Sequence, residues 1–387
     1  MKKVGIISLY HNSYNYGGVL QAFALNYTIN ELGYEAYQID YAPSRKKNNL
    51  NMIAIYIKSH SICSFLKKTA ISLYKNTYSK IFGIKDTKGI VARKKVFESF
   101  KSENIMISRQ CCKDNIDEVG NNYDVLICGS DQIWKPSVVD DAYMLAFSKK
   151  DKRTFSYAAS LSVDSLNNDE KERYRIWLSN LDAISVREKQ AISILQPLTD
   201  TQIKLVCDPT LLLSREKWIH VIGNNNENVI TEPYLFCYFL GDDPSFRKAA
   251  KKYAKKRGLK IVTFPNLQQK ASPFDRKFGD YRIYTATPFD FVRFIRDAKI
   301  VFTDSFHATA FSLNLNVPFI VFERAAITSM NSRIESLLSI TGCHKRFVKE
   351  YTMDALSNVP DIDWNIVNGR LSDIRENSKE FILTNLY

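Results

Sequence analysis

Five histidines occur in 387 residues, and one of them, His307, stands in "TDSFHATAFSL". The preceding run "KIVFTD" is short, apolar and β-branched, and the following run is helical in its apolar spacing, so His307 falls in the first turn of a helix that leaves a strand. Backbone N–H groups at a helix start lack partners and favour an anion. A histidine beside them can pass a proton to a substrate whose phosphate rests there. Ser305 has the chemistry of an N-cap, or of a hydroxyl facing a phosphate. Arg187 ends the strand-like "AISV" and can hold a phosphate or carboxylate with two N–H groups, or pair with an acid such as Glu188. Arg333 opens "SRIESLLSI", beyond the next strand, and can reach the same edge.

A second group lies nearer the start. "CGSDQIW" follows the buried-strand pattern "YDVLI". Gly129 permits a sharp turn. Ser130, Asp131 and Gln132 offer hydrogen-bonding side chains, and Trp134 offers a flat aromatic face, a combination suited to sugar hydroxyls. "HNSYNYGG", after the first strand, brings His11, Asn15, Gly17 and Gly18 to the same place. It is not a G-x-G-x-x-G, so a dinucleotide site is poorly supported. The phosphate-loop, zinc-protease and nucleophile-elbow motifs are also absent.

The elements that must position these residues alternate. "KVGIISL" reads as a strand, "NYGGVLQAFALNYTINELG" as an amphipathic helix with Leu20, Phe23, Ala24 and Tyr27 on one face, and "YEAYQID" as a strand, a βαβ unit. "YDVLICGSD", "RTFSYAAS", "DAISVRE" and "IKLVCDP" read as further buried strands. After the polar, Asn-rich "VIGNNNENVITEP" the alternation resumes with "YLFCYFL", "LKIVTF", "KIVFTD" and "VPFIVF", separated by helical runs. The expected fold class is α/β, with two Rossmann-like doubly wound domains facing a cleft. The domains are placed at 1–222 and 229–387, and the last helix is expected to pack back on the first domain. Ligands of such sheets bind beyond the carboxyl ends of the strands, so the cleft between the domains is the expected site.

Composition agrees with a globular chain: 45 % hydrophobic and 12 % aromatic residues exclude disordered and collagen-like classes. No apolar run reaches membrane-spanning length. The seven cysteines are scattered without C-x-x-C spacing and read as buried thiols of a reducing compartment. The formal charge of +13 is concentrated: residues 45–95 hold 13 Lys or Arg against the single acid Asp86. The remainder is close to neutral, so the excess is local and no nucleic-acid surface is expected. Residues 45–100 read as a basic, helical insertion in the first domain. Its aliphatic and aromatic residues between lysines suit contact with an anionic membrane.

Several stretches together resemble the polysaccharide pyruvyl transferase family: "NYGGVLQAFAL", "YDVLICGSDQIW", "SYAASL", "ISVRE", "VCDPTLLL" and "DAKIVFTDSFHATAFSLNLNVPFIVF". They occur in the family's order, and "GSDQIW" and "DSFHATAFS" are the specific ones. The resemblance implies a GT-B-like fold. It also implies transfer of the enolpyruvyl part of phosphoenolpyruvate onto two sugar hydroxyls, giving a cyclic ketal. It maps the family's histidine onto His307 and its R-[DE] arginine onto Arg187, and it adds weight to Asn15 and Asp131. Many members carry an arginine two residues before the histidine. Here Ser305 stands there, and Arg333 is the expected substitute for binding phosphate.

The implied scheme needs no metal or cofactor beyond the donor. Its acceptor is the sugar of a polysaccharide or of a lipid-linked glycan precursor. Location in the cytoplasm is expected, with peripheral contact at the inner leaflet through residues 45–95. Two other readings fit the same architecture: a nucleotide-sugar glycosyltransferase, with Glu323 holding a ribose, and a carbohydrate-binding protein without chemistry.

Overall fold

The computed structural model describes residues 1–43, 89–223, 230–265, 273–324 and 331–387. The first domain is built on four parallel strands in the order β2-β1-β3-β4: β1 (Lys3–Ile7), β2 (Glu35–Gln38), β3 (Val125–Cys128) and β4 (Arg153–Ser156). A parallel pair, β5 (Ile184–Val186) and β6 (Ile203–Leu205), continues beside β4 through the bridges Phe155 to Ala183 and Ala159 to Val186. These strands are short and rich in Val, Ile and Leu because parallel sheets are covered on both faces. The second sheet has six parallel strands in the order β12-β11-β10-β7-β8-β9. They are β7 (Tyr234–Tyr238), β8 (Lys260–Thr263), β9 (Tyr281–Arg282), β10 (Ile300–Thr303), β11 (Phe319–Phe322) and β12 (Phe347–Val348). In each sheet the chain winds outward one way and then the other. The order reverses between β1 and β3, and between β7 and β10, and loops diverge at those points to leave room for a ligand.

Helix α1 (Tyr16–Glu31) departs from the sequence expectation. An amphipathic helix exposes one face, but α1 is buried on all sides from Tyr16 to Asn26. The reason is its neighbours. It lies against the first sheet and also packs on α3 (Pro209–Leu212) and, from the second domain, on α5 (Pro288–Arg296). A helix covered on every face needs no polar stripe. Tyr16 stacks on Phe291 at 5.0 Å, and its hydroxyl donates a hydrogen bond to Ala286 O at 3.1 Å.

The helix running through 89–104, α2, packs Phe97 and Phe100 into the same core. It carries the last described part of the cationic insertion; the rest, 45–88, lies outside the described residues. Arg93 does not face outward. It is buried, with its guanidinium 5.2 Å from the Tyr16 ring and Nε donating to Tyr284 O at 3.4 Å.

Helix α4 (Arg215–Ile222), not anticipated in the sequence, joins the two halves through Trp218. The indole donates to Thr210 O at 2.8 Å and lies 5.9 Å from Phe23 and 5.0 Å from Phe311. Phe311 belongs to α6 (Phe306–Asn314), every residue of which is buried. Helix α7 (Ser332–Thr341) ends at Gly342, whose φ of +77° only glycine adopts readily.

The last helix, α8 (Trp364–Leu386), touches both domains. Arg375 Nε donates to Leu211 O at 2.8 Å, Ser378 Oγ accepts from Cys207 N at 2.8 Å, and Arg153 donates to Asn385 Oδ1 at 2.6 Å. Side chains of both sheets thus share one hydrophobic core. Trp218→Ala should cost about 3–5 kcal/mol, and the whole chain should still unfold in one transition. Urea unfolding followed by circular dichroism reads both; two separated transitions in the wild type would contradict a shared core.

Candidate active site

The carboxyl edges of the two sheets face each other, and charged groups from both meet between them. Ser305 is the N-cap of α6, its Oγ accepting from Ala308 N at 3.5 Å. That cap starts the helix where β10 ends and sets His307 in the first turn. The imidazole then lies directly on α1 of the other domain: a Cβ at position 17 would come within 2.0 Å of His307 Nδ1. Only glycine permits this approach. Asn15 caps α1 by accepting from Gly18 N at 3.3 Å, which fixes the entry of the helix against His307.

Three first-domain residues complete the cluster. Asp208, just beyond β6, caps α3 through Thr210 N and Oγ1 with one oxygen. Its other oxygen takes Arg187 Nη1 at 2.5 Å and lies 3.6 Å from His307 Nε2. Arg187 Nη2 reaches Asp131 Oδ1 at 3.2 Å, and its guanidinium lies 4.4 Å over the Phe306 ring of the second domain. Arg333, at the start of α7, reaches across to Asp131 at 3.8 Å. With its amide oxygen turned towards Arg333, Gln132 accepts from Nη1 at 3.0 Å. The Nε atoms of Arg187 and Arg333 and Nε2 of His307 are buried without a hydrogen-bond partner among the described residues.

Electrostatics follow from this crowding. Burial by itself would raise the Asp131 and Asp208 carboxyls. The positive neighbours outweigh it and hold both below the ordinary range: Arg187, His307 and Arg333 at Asp131, His307 and Arg187 at Asp208. For Arg187, burial would lower the pKa, but Asp208 and Asp131 keep it raised. Arg333 is the exception. Burial and then the charge of Arg187 pull it down to about 10, against a weaker opposing pull from Asp131. It is the cation in the cluster that an added anion would relieve most.

The sequence expectations sort accordingly. His307, Arg187, Arg333, Asp131, Gln132, Asn15 and Gly17 come together. Ser305 is present as a cap. The bidentate grip expected of Arg187 is already taken by two protein carboxylates. Trp134 provides no open aromatic face; it is fully buried, with Nε1 donating to Tyr143 O at 3.3 Å. Ser130 is also fully buried and donates to Ala158 O at 2.9 Å. The chain turns inward there because Ile133 and Trp134 fill the core beneath β3. Asp208 was missed, although the rule that singled out Arg187 reaches it: a charged residue at a strand end, here followed by Pro at a helix start. Glu323 lies apart, its carboxylate 3.7 Å from Lys349.

Comparison with known proteins fits this geometry. The family model for polysaccharide pyruvyl transferase matches residues 15–325, which include His307, Arg187, Asp131 and Asp208. The chain belongs to the polysaccharide pyruvyl transferase family. Family membership makes it a transferase. No curated protein matches the sequence.

Among solved structures, UDP-GlcNAc 2-epimerase from Methanocaldococcus jannaschii is 12 % identical, with a TM-score of 0.55 and 99 % of each chain covered. The enzyme from Neisseria meningitidis, bound to UDP-GlcNAc, is 10 % identical, with a TM-score of 0.54, 100 % of this chain and 99 % of that one covered. The enzyme from Rickettsia bellii is 11 % identical, with a TM-score of 0.51 and 100 % and 96 % covered. At these identities the likeness is one of fold: the family member has the GT-B architecture. Among the described residues no helix is long and apolar enough to cross a membrane.

Asp131 and Asp208 ionise more readily in the folded chain than in the unfolded one, so in acid the unfolded chain binds more protons. Their stabilisation is therefore complete above the ordinary carboxylate value of about 4 and is lost as pH falls towards the folded values. Urea midpoints should drop steeply below that pH in the wild type. Asp131→Asn should flatten the dependence; an unchanged acid profile would contradict the pairing.

Proposed function

We propose that the chain transfers the enolpyruvyl group of phosphoenolpyruvate to a sugar of a polysaccharide or lipid-linked glycan, forming a pyruvate ketal. The observation that carries this reading is the meeting of His307 and Arg333 from one domain with Asp131, Arg187 and Asp208 from the other. It offers a proton donor and an under-partnered cation within one buried, polar site. Arg333 binds the donor phosphate in place of the arginine that Ser305 replaces, since Ser305 Oγ is engaged at the helix cap. Protonated His307 delivers a proton to the vinyl carbon, and the neighbouring carbon takes up positive character. The carboxylates Asp131 and Asp208 favour that developing charge and keep His307 oriented. Arg187 holds both carboxylates in place. One sugar hydroxyl adds to this carbon, phosphate leaves, and a second hydroxyl closes the ketal.

Calorimetry with phosphoenolpyruvate and with UDP-GlcNAc tests the donor. Phosphoenolpyruvate should bind, and Arg333→Ala should raise its Kd by about one to two decades, the loss of one charge-assisted contact. His307→Gln should retain binding but lower transfer by about 10²–10⁴-fold. Binding of UDP-GlcNAc in place of phosphoenolpyruvate would favour a nucleotide-sugar glycosyltransferase instead.

A lipid-linked acceptor would bring the enzyme to an anionic leaflet, and the basic charge of residues 45–95 suits that contact. Sedimentation with vesicles containing phosphatidylglycerol should occur at low salt and fail at high salt. Absence of binding at low salt would remove the membrane from the proposal.

A further inference from the structure

The donor proposed above carries a phosphate and a carboxylate, and one guanidinium cannot fork onto both. Arg187 is fastened to Asp208 and Asp131 through its Nη atoms. Arg324, whose charge also reaches Arg333, is held by Asp304, with Nε 3.1 Å from Oδ2 and Nη2 donating to the backbone oxygen at 2.6 Å. One further cation lies on the first domain. Lys135 is half-buried, and its Nζ has neither a hydrogen bond nor an ion pair among the described residues.

The turn after β3 decides where this side chain goes. Gln132–Trp134 form a single 3₁₀ turn, closed by Lys135 N donating to Gln132 O at 3.2 Å. Side chains three residues apart in such a turn eclipse each other, so Lys135 stands on the face of Gln132. Ile133 and Trp134, between them, are fully buried in the core, which leaves Asp131, Gln132 and Lys135 as the partly open face. That face meets the start of α7. Gln132, with its amide oxygen turned towards Arg333, accepts from Nη1 at 3.0 Å, and Asp131 Oδ1 lies 3.8 Å from the same nitrogen. Lys135 therefore rises beside the contact that holds Arg333. The electrostatics agree: burial, and after it the charge of Arg333, lowers the Lys135 pKa. Neighbouring cations without a shared anion disfavour each other's charge, and an anion between them relieves both.

We infer that Lys135 binds the carboxylate of the donor while Arg333 binds its phosphate, so that the site selects phosphate esters carrying a carboxylate over simple phosphate esters. The inference rests on the pyruvyl-transfer reading. The division follows the chemistry of the two groups. A planar guanidinium fork suits a phosphate, and a flexible ammonium is a point charge that a carboxylate satisfies. Gripping the donor at both ends also fixes its rotation, which a single phosphate contact leaves free. Lys135 stands on the first domain and Arg333 on the second, so a donor held this way bridges the two.

Calorimetry on the full chain tests this with phosphoenolpyruvate, phosphoglycolate and ethyl phosphate, of which only the last lacks a carboxylate. Lys135→Met should raise the Kd of both carboxylate-bearing ligands by about one to two decades, the loss of one charge-assisted contact, and leave that of ethyl phosphate unchanged. Lys135→Arg, which keeps the charge, should restore most of the lost affinity. Arg333→Ala should weaken all three ligands. Phosphoenolpyruvate bound by Lys135→Met at the wild-type Kd overturns the assignment and leaves pyruvyl transfer standing. An equal loss for ethyl phosphate also overturns it, since a structural or general electrostatic effect does not tell the ligands apart. A wild type that binds no phosphoenolpyruvate overturns both readings.

Discussion

The two halves of this enzyme are held in register by charges that none of them can leave. Asp131, Arg187 and Asp208 come from one sheet, and His307 and Arg333 from the other, and all are largely buried. A buried charge without a partner costs several kcal/mol, whereas a paired and hydrogen-bonded one is tolerated. Each carboxylate here is shared between cations of both domains. Moving one domain away would strip Asp131 of Arg333 and Asp208 of His307 together. The apolar contacts of Trp218, Phe311 and α1 supply most of the adhesion, but they are not directional. The ion pairs fix which residues face which.

That constraint explains features that look unrelated. Residue 17 lacks a side chain because the imidazole of His307 occupies the place where a Cβ would stand. Helix α1 is covered on every side from Tyr16 to Asn26 because it is the layer between the domains. Arg187 is stacked on Phe306 and fastened to carboxylates at both Nη atoms, so it is rigid; Arg333 is held by the neutral amide of Gln132 and lies 3.8 Å from its carboxylate, and in the proposed reading it is the arginine that takes the ligand. A site that must both hold its own shape and accept an anionic donor, as the proposed reading requires, benefits from separating these two tasks between different residues.

How much of this was legible in the sequence depends on whether the signal is local. Strands such as "YDVLIC" and "KIVFTD" announce themselves by composition, and the alternation of elements gives the doubly wound fold. A strand end followed by a helix start placed His307 and Arg187 on the right edge. The direction of a side chain after a turn is not local. "GSDQIW" reads as an open polar and aromatic face, yet Ser130 and Trp134 turn into the core while Asp131, between them in the sequence, turns to Arg187. The all-round burial of α1 is equally invisible, since it depends on a domain encoded two hundred residues later. Asp208 could have been found, because it obeys the same edge rule as Arg187.

In the proposed reading, Ser305 in place of the family's arginine relocates a cation without moving the binding point. An arginine at 305 would rise from the cap of α6, beside His307. Arg333 instead approaches from the start of α7, one strand further along the sheet, and ends within 3.8 Å of Asp131. The guanidinium is long enough to bridge that change of origin, but the substitution is not neutral. A serine can cap α6 through its own hydroxyl, which an arginine cannot. The chain therefore gains a fixed helix start under His307 and, in the proposed reading, takes its phosphate cation from a different element. Because that element belongs to the same domain as His307, the two residues that the proposed reading makes proton donor and phosphate ligand are carried on one domain, and the geometry between them does not depend on the other.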